Sequence, residues 1–255
     1  MKQKAHASHE LAYARMRREG QTSWNEAHSV RAEEKVPIDP ETERFLVDAL
    51  AQPWAPGSGR AIELGCGTGP MTRWLAARGF DAMGIDVSPT AIALAQELSR
   101  GNAQVQFQVA DACSPSIAAL EGAFDLVLDG HCLHCIPGES DRQAFLQTAR
   151  RLLRPGGMFL LDTMCTPLQS RRRLEQRPQG RMVGRILYMP TDKAVDYELS
   201  IQLNGQWYLA TRYFAPPIEL EREVRRAGFK ILITRLSRAT GEAMASMLSL
   251  VAVAV

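Results

Sequence analysis

Between residues 61 and 164 short apolar runs alternate with amphipathic stretches, and this constrains the chain more than any other feature. AIELG (61–65), DAMGID (81–86), VQFQVAD (105–111), FDLVLDG (124–130) and MFLLDTM (158–164) read as strands. MTRWLAARG (71–79), AIALAQEL after Ser88 and Pro89, and DRQAFLQTARRLL (141–153) read as helices. Gly79 stops the first, Ser88 caps the second, and Pro155, Gly156 and Gly157 end the third. Such alternation folds as a parallel sheet with helices on both faces. Ligands of such sheets bind at the carboxyl ends of the strands, so the residues that end each strand matter most.

The pattern is interrupted on both sides. Residues 1–55 read as helical and polar, with Tyr13, Trp24 and a stretch from Pro40 that carries Phe45, Leu46 and Leu50 at helical spacing. QPWAPGSG (52–59) is a linker. After residue 164 six arginines fall at 171, 172, 173, 177, 181 and 185. A hairpin follows: Val195, Tyr197, Leu199, Ile201 and Leu203 share one strand face, Asn204-Gly205 is the turn, and QWYLATRYF returns. A helix (217–228), a strand (229–236) and an apolar terminal strand (247–255) complete the chain. The expected organisation is a helical cover (1–59), a core (60–163 and 216–255) and an insertion with the hairpin (164–215).

At 255 residues, 45% apolar and 23% charged, the chain has the composition of a soluble globular protein. Its net charge of +2 lacks the basic bias of a dedicated nucleic-acid binder. The most apolar tail, MLSLVAVAV, is far shorter than the roughly 20 residues that span a membrane. MKQKAHASHE has no apolar core of a secretory signal, and the five cysteines (66, 113, 132, 135, 165) are an odd number. A cytoplasmic protein with reduced thiols is expected.

The sharpest motif is IELGCGTG (62–69), where Gly65, Gly67 and Gly69 follow a strand and open a helix. Asp86 ends the second strand 21 residues after Gly65, where a carboxylate can accept both ribose hydroxyls of a nucleoside. The dinucleotide fingerprint G-x-G-x-x-G requires glycine at position 70, which is Pro70, so a nicotinamide cofactor is disfavoured. Glu63, two residues before the first glycine, would repel a pyrophosphate but favour a cationic nucleoside.

These segments resemble the class I S-adenosylmethionine-dependent methyltransferases of small-molecule type. IELGCGTG resembles their first motif, GIDVSPTAI the acidic loop after the second strand, and VADAC the third-strand motif. FDLVLDGHCLHCIP and RLLRPGGMFLLDT resemble the fourth and fifth. The resemblance implies an α/β fold: a Rossmann-like seven-stranded, mostly parallel sheet of order 3-2-1-4-5-7-6, with N-terminal helices and an inserted β-hairpin lobe. It also implies that Gly65, Cys66, Gly67 and Gly69 pack against the methionine part of S-adenosylmethionine. Glu63 would orient the cofactor's ammonium, Asp86 take the ribose hydroxyls, and Val87 lie against the adenine. Asp111 would accept from the adenine amino group with Ala112 in support, and Asp129 and Gly130 would line the methyl end.

His131, Cys132, Leu133, His134 and Cys135 form a loop with three readings. A structural zinc site needs two separated ligand pairs, and no second C-x-x-C or H-x-x-x-H exists, so no metal is expected. A redox dithiol lacks a thioredoxin-like context. The family resemblance makes LHCI a variant of a stretch beside the transferred methyl, with His131 as base and His134 second.

The core does not name the acceptor. The resemblance assigns that choice to the two decorations, where Tyr13, Trp24, Arg185, Tyr188 and Tyr197 are the candidate acceptor contacts. The expected activity is methyl transfer to a nucleophilic atom of a small molecule. The alternatives are an RNA methyltransferase and a catalytically silent relative. A homodimer through the exposed hairpin edge is the expected alternative use of the insertion.

Overall fold

A computed structural model describes residues 2–24, 37–166, 180–191, 197–237 and 245–255. The sheet contains β1 (Gly59–Leu64), β2 (Phe80–Asp86), β3 (Val105–Val109), β4 (Phe124–Gly130), β5 (Leu153–Cys165), β10 (Phe229–Ser237) and β11 (Ser246–Ala254). Their order is β3-β2-β1-β4-β5-β11-β10. The first five strands are parallel, and β11 runs antiparallel between β5 and β10. In chain order this is the 3-2-1-4-5-7-6 sheet expected from the sequence.

Alternation along the strands builds two cores. Ile62, Leu64, Val127, Phe159 and Leu161 face one side, against Phe145 and Ala149 of α5 (Glu139–Leu152) and Leu220 and Val224 of α6 (Pro217–Arg226). Ala61, Leu126, Leu128 and Leu160 face the other. They meet Phe45 and Leu46 of α2 (Pro40–Leu50) and Trp74 and Leu75 of α3 (Pro70–Ala76). Among the described residues the remaining α-helices are α1 (His9–Arg18) and α4 (Pro89–Leu98). Local chemistry sets their starts: Asp39 accepts from the amides of Glu41 and Thr42, and Ser88 accepts from Ala91. No described helix is long and apolar enough to cross a membrane.

The insertion departs from the expected hairpin. Its sheet has four antiparallel strands in the order β6-β7-β9-β8: β6 (Arg181–Val183), β7 (Ile186–Thr191), β8 (Ile201–Leu203) and β9 (Gln206–Tyr213). The Asn204-Gly205 turn is present, with both residues at positive φ. The strand before it is only three residues long, because Leu199 takes φ 59 and Tyr197 forms an isolated bridge to Gln3. Val195 lies outside the described residues, as do Arg171, Arg172, Arg173 and Arg177. Arg181 and Arg185 belong to a second hairpin, β6–β7, which periodicity did not reveal because its first strand is three residues long.

Leu128 is fully buried between α2 and α3. Leu128→Ala should cost about 2–5 kcal/mol in urea unfolding with an unchanged denaturant slope.

Candidate active site

The carboxyl ends of β1, β2 and β4 converge on the glycine loop. Gly65 and Cys66 donate their amides to the Ile85 carbonyl, which ties the loop to β2. Gly65, Gly67 and Gly69 have φ of 71, 54 and 74, a region that costs other residues strain. Space adds a second constraint. A Cβ on Gly65 would overlap Cys132, and one on Gly67 would overlap the Tyr13 hydroxyl. The Cys66 side chain is buried and lies beside Gly84 of β2, so this residue offers backbone to the loop's outer surface.

Three carboxylates surround this loop. Glu63 is buried and accepts from the Thr72 hydroxyl; burial pushes its pKa up to about 8. Asp86 accepts from the amides of Gly67 and Ser88, both at 2.8 Å, and burial pushes it up to about 6. Asp129 accepts from Cys132 (2.6 Å) and Leu133 (3.0 Å), and burial pushes it up to about 7. None of the three forms an ion pair among the described residues. Val87 and Gly130 are half-buried at the ends of β2 and β4, and Ala112 is buried after β3.

The N-terminal segment lies over these residues. His6 Nε2 meets Asp111 Oδ1 at 3.2 Å, and the Asp111 carboxylate also accepts from Cys113. Burial would raise the Asp111 pKa, but the His6 hydrogen bond outweighs it and the pKa is lowered. Glu10 of α1 accepts from the hydroxyls of Ser88 and Thr90, and so clamps α1 onto the start of α4. Tyr13 is buried against Gly67 and packs edge-on to Trp24, with centroids 5.4 Å apart.

The two loop histidines differ. His131 has φ 78, a conformation that costs a non-glycine residue roughly 1–3 kcal/mol. It is held there by its amide, which donates to the Asp162 carbonyl, and by Nε2, which lies 3.0 Å from Asp162 Oδ2. Thr42 of α2 and Ser249 of β11 also donate to that buried carboxylate. Burial opposes charge on both partners, but the hydrogen bond wins: His131 is raised and Asp162 lowered. An ionised carboxylate on Nε2 places the ring proton there and leaves Nδ1 with the lone pair of the neutral ring. His134 is buried, and its Nδ1 accepts from the Met164 amide. Burial, with help from Arg212, pushes its pKa well below the usual value, so it is a neutral ring that orients the loop.

The acceptor candidates separate. Tyr13 and Trp24 sit at the glycine loop. Arg185 pairs with Glu219 in an open cleft shared with Arg142 and Tyr213, and no lining residue of that cleft belongs to the glycine loop. Tyr188 packs with Tyr208 and Ala210 on the opposite sheet face from Leu187. Tyr197 bridges Gln3. Sequence reasoning missed Asp162, Thr42, His6, Glu10 and Arg212. Asp162 lies near the carboxyl end of β5 and was open to the carboxyl-end rule; the others come from elements whose docking has no local signal.

Residues 62–161 match the methyltransferase domain family. A 2-heptyl-1-hydroxyquinolin-4(1H)-one methyltransferase of Mycobacteroides abscessus is 33% identical over 105 residues, 40% of this chain and 45% of that one. Ribosomal RNA small subunit methyltransferase C of Alcanivorax borkumensis is 32% identical over 111 residues, 40% of this chain and 31% of that one. The chain thus matches less than half the length of these curated relatives. The 1,6-didemethyltoxoflavin-N1-methyltransferase of Burkholderia thailandensis, solved with 1,6-didemethyltoxoflavin and S-adenosylhomocysteine, shares the fold. Its TM-score is 0.57 at 20% identity, covering 96% of this chain and 88% of that one. Residues 62–161 thus match a methyltransferase domain, and the seven-stranded sheet around them has the fold of S-adenosylmethionine-dependent methyltransferases.

Proposed function

We propose that the protein transfers a methyl group from S-adenosylmethionine to a nucleophilic atom of a small molecule. The observation that carries this reading is the group of three buried carboxylates, unpaired among the described residues, around the glycine loop. A buried anion without a counter-charge is costly, which is why their pKa values rise. That donor set fits a nucleoside bearing a sulfonium and an ammonium, and opposes a pyrophosphate. Glu63 would hold the ammonium, Asp86 the ribose, Val87, Asp111 and Ala112 the adenine, and Asp129 and Gly130 the sulfonium end. When bound, the cofactor supplies an electrophilic methyl group.

The protein's own work is then positioning and proton handling. In-line displacement at a sulfonium needs no acid for the leaving sulfide, so alignment and exclusion of water dominate. Residues 1–59 serve as the cover: α1 and Tyr13 close over the loop, and α2 supplies Thr42. The described strands of the insertion, β6 to β9, close the acceptor side. If the acceptor is protonated, His131 Nδ1 takes its proton, and Asp162 holds the ring and stabilises the imidazolium. Such help is worth about 10²–10⁴ in rate. The relatives named for a hydroxyquinolone and for 1,6-didemethyltoxoflavin support a small heteroaromatic acceptor.

Calorimetry tests the cofactor assignment: S-adenosylhomocysteine should bind and NAD should not, and the reverse would refute it. His131→Ala should lower turnover about 10²-fold or more with S-adenosylhomocysteine affinity intact. Asp162→Asn should lower the His131 pKa measured by NMR. It should also cost stability in a defined window. The raised His131 contributes fully below its unfolded pKa of about 6.5 and loses that contribution as pH rises through the folded value. The lowered Asp162 contributes fully above about 3.9 and loses it as pH falls through its own. The stability gap between wild type and Asp162→Asn is therefore largest between about pH 4 and 6.5.

A further inference from the structure

Arg212 is the arginine among the described residues that has a buried side-chain nitrogen without a hydrogen-bond partner. Arg142, Arg185, Arg225 and Arg235 each hold a carboxylate. Arg212 pairs with none among the described residues. Its Nη1 donates to the adjacent Thr211 carbonyl at 2.8 Å, and its Nε is buried without a hydrogen-bond partner. The guanidinium lies 5.4 Å from the Trp24 ring centroid.

A bulge in the insertion sheet aims this side chain. Tyr188 pairs with Ala210 but Leu187 pairs with Arg212, so Thr211 is an extra residue in β9. Without it Arg212 would share the face of Tyr208 and Ala210. With it Arg212 joins the face of Leu187 and Phe214, which pack against Met164 at the end of β5. Its charge acts on His134 and Cys135 of the loop after β4. β9 packs against the turn at Leu133–Cys135 and Arg212 lies over Trp24, which places the guanidinium on the acceptor side of the glycine loop.

We propose that Arg212 recognises an oxyanion on the acceptor, so that the methylated molecule carries a carboxylate or an equivalent delocalised anion held between Trp24 and the His131–Cys135 loop. This rests on the methyl-transfer reading for the word acceptor, though the anion site itself does not depend on it. A buried Nε without a partner is costly alone and becomes favourable when Nε and a terminal nitrogen together grip a planar anion. Trp24 beside it, packed edge-on against Tyr13, suits a flat ring carrying that anion. A carboxylate at this place has two sources, the acceptor and the amino-acid end of the cofactor, and the position beside His134 and Cys135 favours the acceptor.

The test uses calorimetry on wild type, Arg212→Lys and Arg212→Met, each with matched thermal stability, with and without S-adenosylhomocysteine. Wild type should bind benzoate at least tenfold more tightly than benzamide. Arg212→Met should bind the two alike, Arg212→Lys should keep part of the preference, and both should bind S-adenosylhomocysteine within twofold of wild type. Equal binding of benzoate and benzamide by wild type, or binding of neither, overturns the proposal. So does a tenfold loss of S-adenosylhomocysteine affinity in Arg212→Met with 5′-methylthioadenosine unaffected, because the guanidinium then serves the cofactor's carboxylate. If wild type fails to bind S-adenosylhomocysteine but keeps an Arg212-dependent preference for benzoate, the anion site stands and the methyl-transfer reading falls.

Discussion

Burial of Glu63, Asp86 and Asp129 at the ends of three adjacent parallel strands is the constraint around which the rest of the site is organised. Parallel strands bring their carboxyl ends to one edge, and the order β2-β1-β4 puts these acids side by side. Each is satisfied by hydrogen bonds from a neighbouring amide or hydroxyl, not by a cation. Those bonds shape the loops: Asp86 holds Gly67, and Asp129 holds the turn that begins the His131–Cys135 segment. The same groups that fold the loops leave negative potential at the place where a cationic ligand would sit.

The central sheet was legible because its determinants are local. Ser88 with Pro89 and Gly79 punctuate the chain between apolar runs, whereas Pro155, Gly156 and Gly157, expected to separate helix from strand, lie inside β5, which starts directly after α5. The acids were legible for the same reason, since each terminates a strand. β11 followed from its apolar pattern, and its antiparallel placement between β5 and β10 came through family resemblance.

What escaped depends on distant docking. The His131–Asp162 pair joins strand ends that neighbour each other only in the sheet, and Thr42 reaches it from a helix 120 residues earlier in the chain than Asp162. The bulge at Thr211 reverses which face of β9 Arg212 occupies, and a single extra residue leaves no mark in a period-two pattern. The aromatic candidates divide accordingly. Tyr13 of α1 packs against Trp24, whereas Tyr188 packs with Tyr208 and Ala210 and Arg185 pairs with Glu219.

The central claim is that the glycine loop is built for a cation. Calorimetry at pH 7 in two buffers of different ionisation enthalpy measures the protons exchanged on binding. S-adenosylmethionine and S-adenosylhomocysteine share an amino acid and a nucleoside and differ by the sulfonium charge. If that charge settles among carboxylates whose pKa values lie at about 6, 7 and 8 in the free protein, it lowers them and drives protons off. More protons released with S-adenosylmethionine than with S-adenosylhomocysteine is the predicted result, and equal or smaller release would contradict the account.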